Sequence, residues 1–374
     1  MFADTSTTPV EVRPISPWVR VRRRGPLLIP SSESASPGIY GVDLTLGCGH
    51  FCRWCHVREA PAPMGRGRLL YDPRLAERLV DRLDSLAETP RAVCLSPRSD
   101  PFPPSREIVR VAEEVINVLL EREIPVIVMT RGRIPRRLIE SLAARSHLVR
   151  FAIGLSTLNR SISETLEPGA ATPRARLRNV KRVLQAGLTC ELRLEPLIPD
   201  WTDTRENLIP VFAALRELGV RELITHYLFL HPAMQEPFQA AIEPLGWKER
   251  LDDLYRGGPV FTLGSAGATK HLPLEARRTR LARVVAWAAE QGLSIRTGTA
   301  QNPDLSSHPH KRILAQTQTT TAETANRATR HSTVRHPPRR GTWKAASIGC
   351  DLASSRASHE RRGREAETPA HSTG

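Results

Sequence analysis

From Gly38 to about Leu230 the chain repeats one pattern, a short apolar run followed by an amphipathic stretch of ten or more residues. Strands are expected over 39–46, 91–96, 125–130, 149–156, 189–198 and 221–230, and helices over 73–87, 105–122, 135–144, 173–186 and 204–218. Helices open on a capping residue or an early proline, as in "SREIVRVAEEV" and "DTRENLIPVFAAL", and two close on Gly187 and Gly219. Such repetition builds a parallel sheet with right-handed crossovers. Six units imply an α/β fold, a partial (β/α)6 TIM-type barrel over 38–230. Residues 231–307, with a helix expected at 274–291 and a strand at 293–296, complete the domain as a C-terminal extension.

The ends read differently. Residues 1–37 are rich in Pro, Ser, Thr and Arg and lack periodicity, so a flexible basic arm is expected, with "WVRVRRR" its one notable feature. From about residue 308 to 374 the composition turns Thr-, Arg-, Ser- and His-rich. Too few apolar residues remain there to offset the entropy of ordering, and a disordered basic tail is expected.

Side chains alternate across a strand, and in a barrel one face looks inward. In "CELRLEP" Cys190, Leu192 and Leu194 must meet the helices, which turns Glu191, Arg193 and Glu195 into the barrel. Unpaired charges there are costly, so either an ion-pair ladder or a polar ligand site is required. In "VRFAIGLST" the inward set is Arg150, Ala152, Gly154 and Ser156, whose small members leave room for a ligand beneath Ser156. In "RAVCLS" it is Ala92, Cys94 and Ser96, and in "IYGVDLTLG" it is Gly41, Asp43 and Thr45. Barrel ligand sites gather at the C-terminal ends of the strands.

The loop leaving the first strand is "CGHFCRWCH", with three of the chain's six cysteines in eight positions. Cys52 to His56 fits the C-x-x-C-H pattern for haem attachment. Three cysteines with His50 or His56 fit a zinc site. Cys48, Cys52 and Cys55, spaced C-x3-C-x2-C, fit three corners of a [4Fe–4S] cluster. Haem needs room for a macrocycle and leaves Cys48 unexplained, and compact zinc sites draw on two separated ligand pairs. A cubane suits three thiolates on one tight loop, with one iron open to an external ligand.

The cysteine pattern is not a disulfide framework. The N-terminus has no apolar core of a signal peptide, and no run approaches about 18 apolar residues, so a cytoplasmic protein without a membrane span is expected. The net charge of +15 suits a nucleic-acid partner, although about a third of it lies beyond residue 318.

The C-x3-C-x2-C loop, with Trp54 before its third cysteine and placed after the first strand of an α/β barrel, resembles the radical S-adenosylmethionine (SAM) superfamily. "SDPFPPSRE", "LEPGAATPRARLRNVKRVLQAGL" and "EPLIPDWTDT" make it similar to the spore photoproduct lyase-like, or DNA repair photolyase-like, branch. The resemblance implies a [4Fe–4S] cluster on Cys48, Cys52 and Cys55, SAM chelated at the fourth iron, and reductive cleavage to a 5′-deoxyadenosyl radical. It also implies an external electron donor of flavodoxin or ferredoxin type, and lyase chemistry in DNA repair. By position, Trp54 lies near the adenine, Ser99 and Asp100 take the place that binds the SAM amino group, Ser156 contacts ribose, and Arg193 and Glu195 reach the carboxylate and ribose. The family's Gly-Gly-Glu is absent. Cys94, facing inward, is a candidate hydrogen donor, with packing as its alternative. A radical enzyme acting on a protein or small molecule is the second reading, and a non-catalytic metal-binding module associated with nucleic acid the third.

Overall fold

A computed structural model describes residues 18–22, 25–30, 38–56, 69–263, 267–298 and 301–305. In chain order its elements are β1 (Trp18–Arg20), β2 (Ile29–Pro30), β3 (Ile39–Val42), β4 (Thr45–Leu46), β5 (Leu69–Tyr71), α1 (Leu75–Asp84), β6 (Ala92–Leu95), α2 (Arg106–Glu121), β7 (Val126–Thr130), α3 (Arg136–Leu142) and β8 (Val149–Gly154). They continue as α4 (Arg160–Leu166), α5 (Pro173–Gln185), β9 (Thr189–Leu197), α6 (Arg205–Glu217), β10 (Glu222–Tyr227), α7 (Pro232–Ile242), α8 (Lys248–Tyr255), β11 (Val260–Leu263), β12 (Gly267–Lys270), α9 (Leu274–Glu290) and β13 (Ser294–Thr297).

The main sheet runs β13–β10–β9–β8–β7–β6–β3–β2, parallel except for β2 against β3. β13 and β2 are its edges, so the barrel is partial. Helix caps fix the crossovers: Ser105, Thr172 and Thr204 accept from Ile108, Ala175 and Asn207 N–H, and Pro173 opens α5. Gly187 and Gly219 follow α5 and α6 at φ of 72° and 85°, a conformation only glycine adopts without strain. On α2, Ile108, Val111, Ala112, Val115, Ile116, Leu119 and Leu120 form one buried stripe. Burying each large apolar side chain contributes about 1.5–3 kcal/mol before entropy is charged. Inside the barrel, Ile39, Ala92, Cys94 and Ile127 form a separate apolar cluster with Met129 packed on it.

Three expectations change. The first strand does not run from 39 to 46. It stops at Val42, where Asp43 turns its carboxylate to the N–H and Nε of Arg98 at 3.0 and 2.7 Å. β4 then joins β5 and β1 in a small sheet beside the cysteine loop. The basic arm expected over 1–37 is partly built into the fold, because β1 pairs with β5 and Leu27 and Leu28 enter the main core. Residues 1–17 and the tail from 308, with Cys350, lie outside the described residues. Helix α7, where prolines at 232 and 237 obscured the period, buries Met234, Phe238 and Ile242 at four-residue spacing. No helix among the described residues is long and apolar enough to cross a membrane.

Candidate active site

The cysteine loop is short of regular structure and is held from outside. Arg53 N–H donates to Leu166 O at 2.7 Å, and Gly169 N–H donates to His50 O at 2.9 Å. The Leu166 carbonyl and the Gly169 N–H belong to the stretch from the end of α4 toward α5, which opens "LEPGAATPRARLRN". Gly169 is required there, since a Cβ would sit 2.3 Å from Gly49 O. From the other side Trp18 packs on Gly49, with a Cβ at 49 placed 2.9 Å from the indole.

Below the loop lies a cavity of about 210 Å³ at the C-terminal ends of the strands. Cys48, Cys52 and Cys55 form one wall together with His50, Trp54 and His56. Ser96, Ser99 and Asp100 close the side after β6, and Met129 to Arg131 the end of β7. Ala152, Gly154, Arg193 and Glu195 form the inner strand faces, and His226, Leu228, Phe229, Leu263 and Gln301 the far side.

The inward face of β9 carries both a ladder and a cavity wall. Arg193 Nη1 donates to Glu191 at 2.8 Å, its Nε and Nη2 donate to Glu195, and Glu195 Oε2 lies 2.8 Å from His226 Nδ1. Burial disfavours the ionised carboxyl, yet Arg193 and then His226 hold Glu195 far below the usual carboxylate range. A second buried group lies beside the loop. Glu167 accepts from Arg176 and, at 3.1 Å, from Arg131, and these guanidiniums outweigh burial to keep it ionised. Arg176 also donates to Ala171 O and Gly154 O at 2.7 and 3.1 Å.

The residues expected at the site divide. Cys48, Cys52, Cys55, Trp54, Ser99, Asp100, Arg193 and Glu195 all line the cavity. Asp100 does so with both oxygens engaged: Oδ1 accepts from Phe102 N–H and Thr130 Oγ1 at 2.8 Å, and Oδ2 from Arg131 N–H at 2.7 Å. Ser156 is buried but off the wall, its carbonyl accepting from Asn207 Nδ2 at 3.0 Å. The layer it was expected to face is taken by Arg131, whose guanidinium lies across Gly154. Cys94 points inward as the alternation requires, yet it sits in the apolar cluster opposite Ile127, beneath Met129. The strand reaches the cavity only two residues later, at Ser96.

Arg131, Glu167, His226 and Phe229 were not singled out from the sequence. Two had a signal. Arg131 follows β7 at the ligand end of the barrel, and His226 shares the inward alternation of β10. Glu167 and Phe229 had none, because they reach the site through irregular backbone.

The donor set suits an iron–sulfur cluster. None of Cys48, Cys52 and Cys55 is in a disulfide. Burial, then Asp100 and Cys55, pushes Cys48 up, and burial, then Glu167, pushes Cys52 up. A bound metal cation reverses that and ionises a coordinating thiol outright. Among the described residues no three His, Cys, Asp or Glu side chains converge on a point for one ion. A cubane has no such requirement, since each thiolate takes its own iron. Two further buried atoms on this wall, His50 Nε2 and Ser99 Oγ, have no hydrogen-bond partner in the protein.

Residues 42–209 match the family model described as the radical SAM superfamily. An uncharacterized protein of Mycobacterium tuberculosis is 24% identical over 241 residues, covering 62% of this chain and 71% of that protein. A radical SAM Nalpha-GlyT isomerase of Pseudomonas phage M6 is 23% identical over 296 residues, 76% of this chain and 58% of the isomerase. Spore photoproduct lyase complexed with dinucleoside spore photoproduct shares the fold at a TM-score of 0.55 and 15% identity, over 75% of this chain and 82% of that one. A double mutant of that lyase with bound AdoMet and dinucleoside spore photoproduct superposes equally, at a TM-score of 0.55. With the three-cysteine loop at the mouth of a partial parallel barrel, the match over residues 42–209 marks this barrel as a radical SAM domain, of the superfamily that uses a [4Fe–4S] cluster and S-adenosylmethionine.

Proposed function

We propose that this radical SAM enzyme acts on nucleic acid, in the manner of the spore photoproduct lyase-like branch, with lyase chemistry in DNA repair as its setting. The observation that carries the reading is the placement of arginines around the cavity. Arg133 is exposed on the segment after β7, Arg174 is exposed in the first turn of α5, and Arg53 is half-buried on the cysteine loop. These segments are tied together: Ala171 N–H donates to Arg131 O at 2.9 Å, Asn179 Nδ2 to Gly132 O at 2.8 Å, and Arg53 N–H to Leu166 O. Phosphates approaching this end of the barrel meet cations on a fixed frame. The fold shared with a lyase solved with a dinucleoside photoproduct supports the same substrate class.

When bound, the reduced cluster and SAM supply a 5′-deoxyadenosyl radical that abstracts a substrate hydrogen. The chain's own residues bind, orient and exclude water. Cys48, Cys52 and Cys55 hold the irons, and Trp54 under Arg131 presents a flat wall beside them. Arg193 and Glu195, fixed by each other, offer preset polar atoms toward the cofactor. Met129, Leu228, Phe229 and Leu263 make the apolar lining that keeps water from a reactive intermediate. A base inside a duplex must be extruded to reach this enclosed place.

The test has two arms. Anaerobically reconstituted protein with SAM and a reductant is assayed for 5′-deoxyadenosine, which is expected without added substrate. Binding to a single-stranded DNA oligonucleotide is then followed across salt. Each lost phosphate contact flattens the log–log salt slope by roughly 0.7, so the Arg133→Ala/Arg174→Ala double variant is expected to bind more weakly with a slope shallower by about 1.4. Absence of salt-dependent binding in the wild type, or a double variant indistinguishable from it, moves the substrate to a protein or small molecule.

A further inference from the structure

Helix α5 carries five cations and, alone among the α-helices of the described residues, no Asp or Glu. Arg176 turns inward to Glu167 and is 1% exposed. The other four turn outward: Arg174, Arg178 and Lys181 are exposed and Arg182 is half-buried. Among the described residues none of the four meets an acidic side chain. The arginines of the helices before it do: Arg136 and Arg137 of α3 hold Glu140 and Glu113, and Arg160 of α4 holds Glu164. At spacings of four and three, Arg174, Arg178 and Lys181 stand on one face over about 10 Å of helix. Like charges so placed repel, and the positive end of the helix dipole adds to this at Arg174 in the first turn. No described side chain relieves the repulsion, and an anion against the outer face does.

The stripe begins at the cavity. The turn before α5 holds the cysteine loop and the end of β7, through Gly169 N–H to His50 O and Ala171 N–H to Arg131 O, so Arg174 stands at the mouth. Arg178 and Lys181 continue from it down the flank of the barrel, because α5 runs back toward the start of β9. A helix that lies on a membrane needs an apolar outer face. Leu177 and Leu184 are instead packed on the core. A single-strand track interleaves aromatic rings with its cations, and α5 has no aromatic residue. A duplex backbone asks only for cations in a row. One of its strands carries a phosphate per roughly 3.4 Å of axis, so about three phosphates span the distance from Arg174 to Lys181. We propose that the outer face of α5 docks the phosphate backbone of duplex DNA and holds the stretch beside the nucleotide that enters the barrel. This rests on the nucleic-acid reading above and adds the face along which the duplex lies.

The experiment uses the full-length, anaerobically reconstituted protein and a DNA duplex of about 20 base pairs, with binding followed across salt. Arg178→Gln/Lys181→Gln removes the two cations below the mouth and keeps helix propensity. At about 0.1 M salt it is expected to bind the duplex roughly tenfold more weakly, with a log–log salt slope shallower by about 1.8. Arg178→Glu/Lys181→Glu is expected to bind more weakly still. Arg216→Gln/Lys248→Gln removes the same charge from exposed positions on α6 and α8. It is expected within about twofold of wild type, since those positions meet no phosphate. All these sites are exposed, so helix content by circular dichroism and iron content are expected to match wild type throughout. If wild type binds the duplex and both α5 variants bind it equally well, the docking face is overturned while the nucleic-acid reading stands. An equal loss in Arg216→Gln/Lys248→Gln overturns it too, because net charge alone would then be the cause. Weakened binding of the α5 variants to phosphatidylserine vesicles, at unchanged duplex affinity, gives the face to a membrane instead. Absence of salt-dependent binding of the wild type to duplex and single-stranded DNA alike strikes the nucleic-acid reading itself, and the docking face with it.

Discussion

The guanidinium carbon of Arg131 lies 4.4 Å from the ring centroid of Trp54. One residue comes from the end of β7 and the other from the cysteine loop, so the contact bridges the loop to the barrel. Arg131 Nη2 donates to Glu195 O at 2.7 Å and its Nε to Glu167 at 3.1 Å, so the guanidinium joins the loop, β9 and the join after α4. Stacking on an indole is worth about 0.5–2 kcal/mol, and the buried hydrogen bonds add to it.

Replacing Arg131 by glutamine removes the stacking and one partner of Glu167 while Arg176 remains. Destabilisation of about 2–3 kcal/mol is expected. It should appear in denaturant unfolding, with a fall in iron retained per chain after desalting. Unfolding and iron content equal to wild type would separate the cysteine loop from this contact.

The three cysteines behave as a set. Cys48→Ala, Cys52→Ala and Cys55→Ala are each expected to abolish the intact cluster, whereas Cys190→Ala, whose thiol is pushed up to about 12 by burial and then Glu191, keeps it. Iron and sulfide analysis decides. A full cluster in any of the first three variants contradicts the ligand set.

Gly169→Ala tests the seating of the loop from the other side. The new methyl collides with Gly49 O, a backbone atom that moves only with the loop. Overpacking of this kind costs about 1–3 kcal/mol, and reconstitution is expected to yield lower iron occupancy at unchanged helix content by circular dichroism. Normal occupancy would show that the loop finds its position without this join.

His271 supplies a pH dependence away from the cluster. Burial, then Arg277, lowers it to about 4. The folded protein therefore binds fewer protons than the unfolded chain between about pH 4 and 6.5. Its contribution is fully present above the unfolded value and is lost as the pH falls toward about 4, to a maximum of roughly 3 kcal/mol. Unfolding free energies of wild type and His271→Gln at pH 7 and pH 4.5 read this directly. The gap between them is expected to narrow at pH 4.5, and a constant gap refutes the linkage.

The strand–helix repeat was legible because it is a local property. A period of two or near 3.6 declares the element, and caps such as Ser105, Thr172 and Thr204 mark its start. Alternation likewise turned Arg193 and Glu195 inward without any knowledge of their neighbours. It failed at Ser156, because the strand ends at Gly154 and alternation has no meaning past the last paired residue. It gave the right face and the wrong depth for Cys94, since which layer of a barrel interior opens depends on the stagger between strands.

The sequence by itself determined the partial α/β barrel, the cluster loop and the charged inner face of β9, each carried by spacing along one stretch of chain. Only the tertiary structure decided that β1 seats Trp18 on Gly49, that Gly169 and Leu166 clamp the loop, and that Arg131 covers Trp54. These pairings join residues from 31 to 120 positions apart. Their partners are selected by packing and by the need to satisfy buried polar groups, and neither leaves a periodic mark in the chain.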